Sequence, residues 1–265
     1  MVDSIFVLKV LIAFIVGSVW ITGSTIIAEK FGPKIGGLMG GIPCVTVIAL
    51  FFIGWTQTPL IASKSTVLIP ITIGIDGLFI VIYACLVKHS FLLAVLCSML
   101  VWFLLSLGLV TIQFHNLPIS LVSWVILSFV SYIVMEYILK VRSIYGQNYT
   151  FSFSNVALRA IISGSTITLS IVMAKLGGPL VGGVFSSFPA VILSIMIITC
   201  FSQGSTFTLS VLKILMISVS INATVYALAV RFLYPLLGLI AGTGSSFLLS
   251  LVSSYFVLLL IKKCS

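Results

Sequence analysis

The sequence predicts an all-α integral membrane protein with about nine transmembrane helices, arranged as two inverted-topology repeats of four helices joined by a connector helix. Three observations lead to this prediction: few charges, long apolar runs and a motif that occurs twice. Of the 265 residues 61% are hydrophobic and 6% are charged, whereas a soluble domain carries roughly 25% charged residues. The mean hydropathy is +1.37. Lipid is therefore the expected solvent for most of the chain.

The length of the apolar runs decides between helices and a barrel. In lipid every backbone N–H and C=O must be paired within the protein, so only helices or closed barrels can span the bilayer. Barrel strands alternate apolar and polar residues over about ten positions. The apolar runs of this chain do not alternate and approach the ~20 residues that a spanning helix needs. The sequence therefore favours helices throughout.

The chain divides into nine predicted spans with short connections. Residues 1–115 are predicted to form the first repeat of four helices, residues 116–154 the connector helix and a loop, and residues 155–265 the second repeat, inverted. The first run lacks a basic leader and is interpreted as a retained helix. The predicted spans are residues 5–28, 35–56, 65–87, 90–114, 117–139, 155–174, 180–201, 209–233 and 236–260.

The positive charges orient this arrangement. The net charge is +9, but Lys and Arg lie singly at the ends of apolar runs, without the clusters that nucleic-acid binding needs. With the N-terminus outside, the side that holds Lys88, Lys140 and Lys213 carries most of the basic residues, as a cytoplasmic side does. We therefore expect a multi-pass protein of the cell (inner) membrane with a cytoplasmic C-terminus and no nucleic-acid partner.

A motif repeats at a constant distance along the chain. Two segments read G-P-x-x-G-G-x5-P-x13-Q without a gap, the first from Gly32 to Gln57 and the second from Gly178 to Gln203, 146 residues later. Extended at the same offset, the alignment places Asp76 on Asn222. Self-similarity of this kind indicates an internal duplication.

The number of spans between the copies predicts their orientation. Five spans separate the first helix from the sixth, and an odd number inverts the second copy. Inverted repeats are characteristic of secondary transporters, which expose a central site alternately to the two sides. An ion channel or a duplicated scaffold remains an alternative.

Two resemblances accompany the repeat. The stretch from Leu180 to Pro189, which reads L-V-G-G-V-F-S-S-F-P, resembles the small GlpM-like bacterial membrane proteins over some 35 residues per half. That resemblance implies a membrane location and no particular activity. The plan of two inverted units of short spans is similar to the drug/metabolite transporter superfamily, and this likeness implies transport without assigning site residues.

Small residues and prolines mark the second and seventh spans. A glycine stripe lets helices approach closely, and Pro43 and Pro189 each remove a helix hydrogen bond and favour a break. A broken helix that lines a cavity is typical of transporters, whereas tight packing with a kink is the structural alternative. The glycines are Gly36, Gly37, Gly40, Gly41, Gly182 and Gly183.

Asp76 is the acidic residue predicted nearest the middle of a span. A carboxyl group inside the membrane is costly and commonly marks a pathway or a proton relay. Asp76 is therefore predicted to carry a proton or to contact a cationic substrate, opposite its repeat mate Asn222. The alternative is a neutral, hydrogen-bonded Asp76 that holds helices together.

Four further polar residues are candidates. Gln57 and Gln203 close the motif and are assigned to the cavity, although solvation at the membrane interface is the favoured explanation for polar residues at the ends of spans. Glu136 and Arg159 flank the loop between the halves and are predicted to form a gate pair, with an Arg159 that reaches to the interface as the alternative.

The function predicted from these features is secondary transport of a small or lipid-linked solute, with possible proton coupling. We expect no enzyme, because no metal, phosphate or nucleophile motif is present. The five cysteines have no metal-type spacing, so no metal and no cofactor are expected. The predicted partners are the lipid bilayer, the substrate and a second copy in a homodimer.

Overall fold

The structure is a computed structural model that describes residues 4–30, 41–141 and 153–264, and it describes the side chains of residues 4–23, 41–141 and 153–259. Within these ranges the protein is all-helical, which confirms the predicted α class. The helices are α1 Ser4–Lys30, α2 Cys44–Thr56, α3 Pro59–Ser65, α4 Ile69–Leu86, α5 Phe91–Thr111, α6 Leu117–Ile133, α7 Phe153–Ser186, α8 Ala190–Gln203 and α9 Ser205–Cys264.

Six described helices are long and apolar enough to cross a membrane, and two shorter apolar helices, α2 and α8, accompany them. Local signals set the helix starts. Thr58, Ser90 and Asn116 each accept a hydrogen bond from the backbone N–H three residues later, the capping geometry expected of Ser, Thr and Asn. The span predicted over residues 65–87 is shorter in the structure, because the capped helix α3 precedes α4.

α7 and α9 each contain a sharp reversal. Gly178 has φ +82° and Gly238 has φ +73°, a backbone conformation that glycine adopts without strain. A Cβ on Gly182 would lie 3.0 Å from the Cα of Ala174, whereas eight residues of straight helix rise about 12 Å. The chain therefore folds back at Gly178, between the predicted sixth and seventh spans, and a similar approach of Gly242 to Tyr234 marks the reversal at Gly238.

Contacts between helices give their relative directions. α4 and α6 run parallel, because Ile71 contacts Ser120 and Gly77 contacts Ser131. α6 and the first arm of α9 (residues 205–237) run antiparallel, since the indole of Trp124 donates to Ser220 while Val141, further along, accepts from Lys213. α4 and the α9 segment aligned with it at the 146-residue offset therefore point in opposite directions.

α1 packs antiparallel along the first arm of α7 (residues 153–177). The ammonium of Lys175 lies 3.8 Å from the ring centroid of Phe6 at one end, and Ser18 Oγ donates to the Ala160 carbonyl, 3.0 Å away, at the other. The Ser18 hydroxyl occupies the space where Gly164 would carry a Cβ. Ser18 and Gly164 are themselves 146 residues apart. One close approach of these helices therefore joins residues that the 146-residue offset aligns.

Candidate functional site

The two proline-marked segments have matching geometry, and the proline turn before α2 is called the first break and the one before α8 the second break. Pro43 (φ −79°, ψ 59°) precedes α2, and Pro189 (φ −75°, ψ 48°) precedes α8. The amide after each proline donates to the carbonyl before it, over 2.8 Å from Cys44 to Ile42 and 2.7 Å from Ala190 to Phe188. These are inverse γ-turn dihedrals. Proline lacks an N–H and its ring clashes with a preceding helical turn, and α2 and α8 each begin directly after their proline.

The two breaks lie close together inside the protein. The Thr46 hydroxyl, in the first turn of α2, donates to the Ser186 carbonyl over 3.1 Å at the end of α7, and both side chains are buried. The carbonyl that ends one broken helix is thus satisfied by the other half. The second arm of α7 (residues 179–186) also lies against α3, since a Cβ on Gly183 would lie 3.0 Å from the carbonyl carbon of Ser65.

Each break also contacts the third span of the other half. Thr72, on α4, shares a hydrogen bond of 2.6 Å with Ser187 at the second break. Asn222, on α9, donates to the Gly41 carbonyl over 2.9 Å at the first break. Ser187 is the repeat mate of Gly41, where Asn222 Nδ2 would lie 2.9 Å from an added Cβ. The small residue at each break therefore admits a polar side chain from the opposite half.

Asp76 lies one turn beyond Thr72 on α4 and is 7% exposed. Its Oδ1 accepts a 2.7 Å hydrogen bond from the indole N–H of Trp102 on α5, a fully buried side chain. The Trp102 ring in turn packs edge-on against Phe188 at the second break, with 5.1 Å between centroids. The carboxyl group is thus linked to the broken helix through one indole, and it can hold a proton or pair with a cation.

Asn222 is fully buried, and its amide is engaged on both sides. Besides donating to Gly41, it accepts a 2.6 Å hydrogen bond from Ser253 on the second arm of α9 (residues 239–264). Asn222 therefore connects the first break to both arms of α9 through hydrogen bonds. Its mate Asp76 has Trp102 as its one hydrogen-bond partner among the described residues, which leaves the two positions chemically unequal.

The motif glutamines lie at the far ends of α2 and α8 rather than beside the breaks. Gln57 and Gln203 are both half-buried, and each has one side-chain amide atom without a partner among the described residues. Their assignment to the cavity stays a prediction. Of the glycines, Gly41, Gly182 and Gly183 make the close approaches given above, and Gly36, Gly37 and Gly40 lie outside the described residues.

Glu136 forms its ion pair with Lys213 of α9. The Lys213 side chain is buried and also donates to the Val141 carbonyl over 2.6 Å. Glu136 lies in a short π-helical segment, Val134–Ile138, that ends the connector helix α6. The sequence predicted Arg159 as the partner of Glu136, and it indicated Lys213 only as a basic residue of the cytoplasmic side. Hydrophobicity and charge counts do not reveal which helix faces meet. They therefore cannot distinguish Lys213 from Arg159 as the partner of Glu136.

Sequence reasoning missed Thr46, Thr72, Trp102 and Ser187. Two of them were within reach of the repeat alignment, because Thr72 and Ser187 align with Ser218 and Gly41, all small or hydroxyl residues. The sequence does not mark Trp102 in a comparable way. A tryptophan inside a predicted span cannot be distinguished, from sequence alone, from an apolar residue that only packs.

Comparison with known proteins gives one match. The sequence profile of a family described as "Protein of unknown function (DUF3147)" matches residues 156–261. The matched part starts near the beginning of α7 and ends in α9, so it covers the second half of this chain. No curated protein and no solved structure matches the chain.

Proposed function

We propose that this protein is a small secondary transporter that moves a small solute or a lipid-linked solute through the cell membrane by alternating access. Nine spans form two inverted four-helix units joined by α6, with the N-terminus outside and the C-terminus in the cytoplasm. The substrate binds at mid-membrane between the broken helices, and Asp76 carries the coupling proton.

The matched contacts of the two helix breaks carry this proposal. Thr72 of the first half reaches Ser187 of the second, and Asn222 of the second half reaches Gly41 of the first. In inverted-repeat transporters, helix breaks near mid-membrane form the substrate site, and rigid-body movement of one unit against the other opens that site to alternate sides. The opposite directions of α4 and its counterpart in α9 support the inversion on which this movement depends.

The chemical difference between Asp76 and Asn222 supports coupling of transport to proton movement. Asn222 has no titratable group and is hydrogen-bonded to Gly41 and Ser253, as a fixed element should be. Asp76 has a titratable group on a helix that contacts the moving break through Thr72 and, by way of Trp102, through Phe188. A change in its protonation alters the strength of the indole hydrogen bond, because ionised acceptors bind more strongly. Proton release and movement of the break are thereby linked.

The test uses a thiol that the chain already has at the break. Cys44 follows Pro43 directly and is 7% exposed, and its repeat mate Ala190 is fully buried. One variant keeps Cys44 and replaces the other four cysteines by serine. Its matched partner also replaces Cys44 by serine and carries Ala190→Cys. Both are reconstituted in proteoliposomes and treated from either side with a membrane-impermeant methanethiosulfonate.

Alternating access predicts slow labelling of both thiols from both sides, because each state exposes the site to one side only. It also predicts that a conformation-locking cross-link suppresses labelling from one side and raises it from the other. A channel would label rapidly from both sides and conduct ions, which contradicts alternating access. A scaffold would protect both thiols, and that result would refute the transporter proposal.

A further inference from the structure

A cavity of about 260 Å³ lies between the start of α7 and the end of α8. Its walls are mainly aliphatic, with two polar side chains at the rim, and it is separate from the helix breaks. Phe201 at its edge is 76% exposed, so the cavity opens outward where these two helices end. The lining residues are Asn155, Leu158, Ile197, Ile198, Phe201 and Ser202.

The equivalent place in the first half contains a lysine side chain. At the 146-residue offset Asn155 corresponds to Lys9, and Phe201 corresponds to Trp55. The Lys9 ammonium donates to the Trp55 carbonyl over 2.9 Å and lies 5.0 Å from the centroid of the Trp55 ring. Trp55 is the second-last residue of α2, where backbone carbonyls lack partners within the helix. A primary ammonium is therefore the group that this position accepts.

The second half has no lysine at the equivalent position, and its side chains at three aligned wall positions are smaller. Asparagine replaces the lysine, isoleucines replace Phe51 and Phe52, and phenylalanine replaces Trp55. These smaller side chains leave more room beside α8 than their counterparts do beside α2. The Phe201 carbonyl aligns with the Trp55 carbonyl and lies near the negative end of the α8 dipole, and the Phe201 ring offers a cation–π surface.

We propose that this cavity binds the primary ammonium of a phosphatidylethanolamine headgroup, in the position that Lys9 occupies in the other half. The carbonyl of Phe201 accepts from the ammonium, and the Asn155 side-chain oxygen is a second acceptor. The aliphatic walls pack against the carbon atoms of the headgroup. Arg159, one turn further along α7, is not among the lining residues. The proposal depends on the correspondence of the two halves and not on transport.

Lipid competition tests the headgroup. The protein in phosphatidylcholine nanodiscs is titrated with phosphatidylethanolamine of the same acyl chains, and bound lipid is counted by native mass spectrometry. The choline ammonium has no N–H to donate, so one lost charge-assisted hydrogen bond predicts a preference of about tenfold for phosphatidylethanolamine. Equal binding of the two lipids would overturn the proposal. If n-pentylamine stabilises the protein but neither lipid is preferred, the cavity binds a primary ammonium that does not come from a lipid, and the phosphatidylethanolamine proposal is refuted.

Two substitutions should close the cavity from inside. Asn155→Lys gives the second half its own lysine, and Ile198→Phe gives it the ring that Phe52 supplies in the first. Both should abolish the lipid preference, and the second answers the question if the first fails to fold. Asn155→Met is the matched control, because it fills space without an ammonium and should melt at a lower temperature than Asn155→Lys. Retention of the preference in both closing variants would refute the site.

Discussion

Gly183 lies where the second broken helix touches α3, and a single methyl group there should disrupt the contact. In Gly183→Ala the new Cβ would lie 3.0 Å from the carbonyl carbon of Ser65 and nearer still to its oxygen. Carbon atoms pack best at about 3.5–4.0 Å. The obstructing atoms belong to the backbone, so no side-chain rotation relieves the clash and the helices must separate.

The cost follows from that geometry. Inserting a methyl group into a well-packed site costs about 1–3 kcal/mol, and a backbone obstacle favours the upper part of that range. At about 2–4 °C per kcal/mol for a protein of this size, we expect the melting temperature of Gly183→Ala to fall by about 5–10 °C. The measurement is thermal unfolding in detergent, followed by tryptophan fluorescence.

Gly244→Ala is the matched control. No heavy atom lies within 4 Å of the Cβ that this substitution adds on the second arm of α9. Alanine in a helix is favoured over glycine by roughly 0.5–1 kcal/mol, so this variant should be as stable as the wild type or slightly more so. A Gly183→Ala protein that melts within about 2 °C of this control would refute the close approach to Ser65.

Three further predictions concern the polar contacts. Asp76→Asn keeps an acceptor for Trp102, so it should melt within a few degrees of the wild type, while the pH dependence of Cys44 labelling falls to that of thiolate formation alone. A pH dependence identical to that of the protein with Asp76 would exclude Asp76 as the coupling group. Asn222→Leu removes the donor to the Gly41 carbonyl and leaves the Ser253 hydroxyl with the Ser250 carbonyl alone. At about 0.6 kcal/mol for an average membrane hydrogen bond it should cost about 1 kcal/mol in unfolding experiments, whereas an unchanged stability would mean that the bond to Gly41 is not made. Lys213→Met removes the ion-pair partner of Glu136, and a double-mutant cycle with Glu136→Gln should give a coupling energy of about 1 kcal/mol, because Glu136 keeps 35% of its side-chain surface exposed and water screens it; a coupling energy near zero would count against the pair.

The positions of the helix breaks were predictable because covalent chemistry sets them. A proline has no amide hydrogen and its ring crowds a preceding turn, and α2 and α8 begin directly after Pro43 and Pro189. The same local logic placed turns near Gly178 and between the last two spans. It did not separate α3 from α4, because a capped seven-residue helix carries too little hydrophobic pattern to be distinguished from the apolar run that follows.

The sequence by itself determined the helical class, and it predicted lipid as the solvent and Asp76 and Asn222 as repeat mates, because composition, run length and repeat spacing are properties of the chain alone. Only the tertiary structure decided that Asp76 binds Trp102, that Glu136 pairs with Lys213, and that Lys9 fills in one half a place left open in the other. In lipid, apolar residues surround every helix, so hydrophobic periodicity no longer marks the face that turns inward. The pairing of polar groups then depends on how the helices pack.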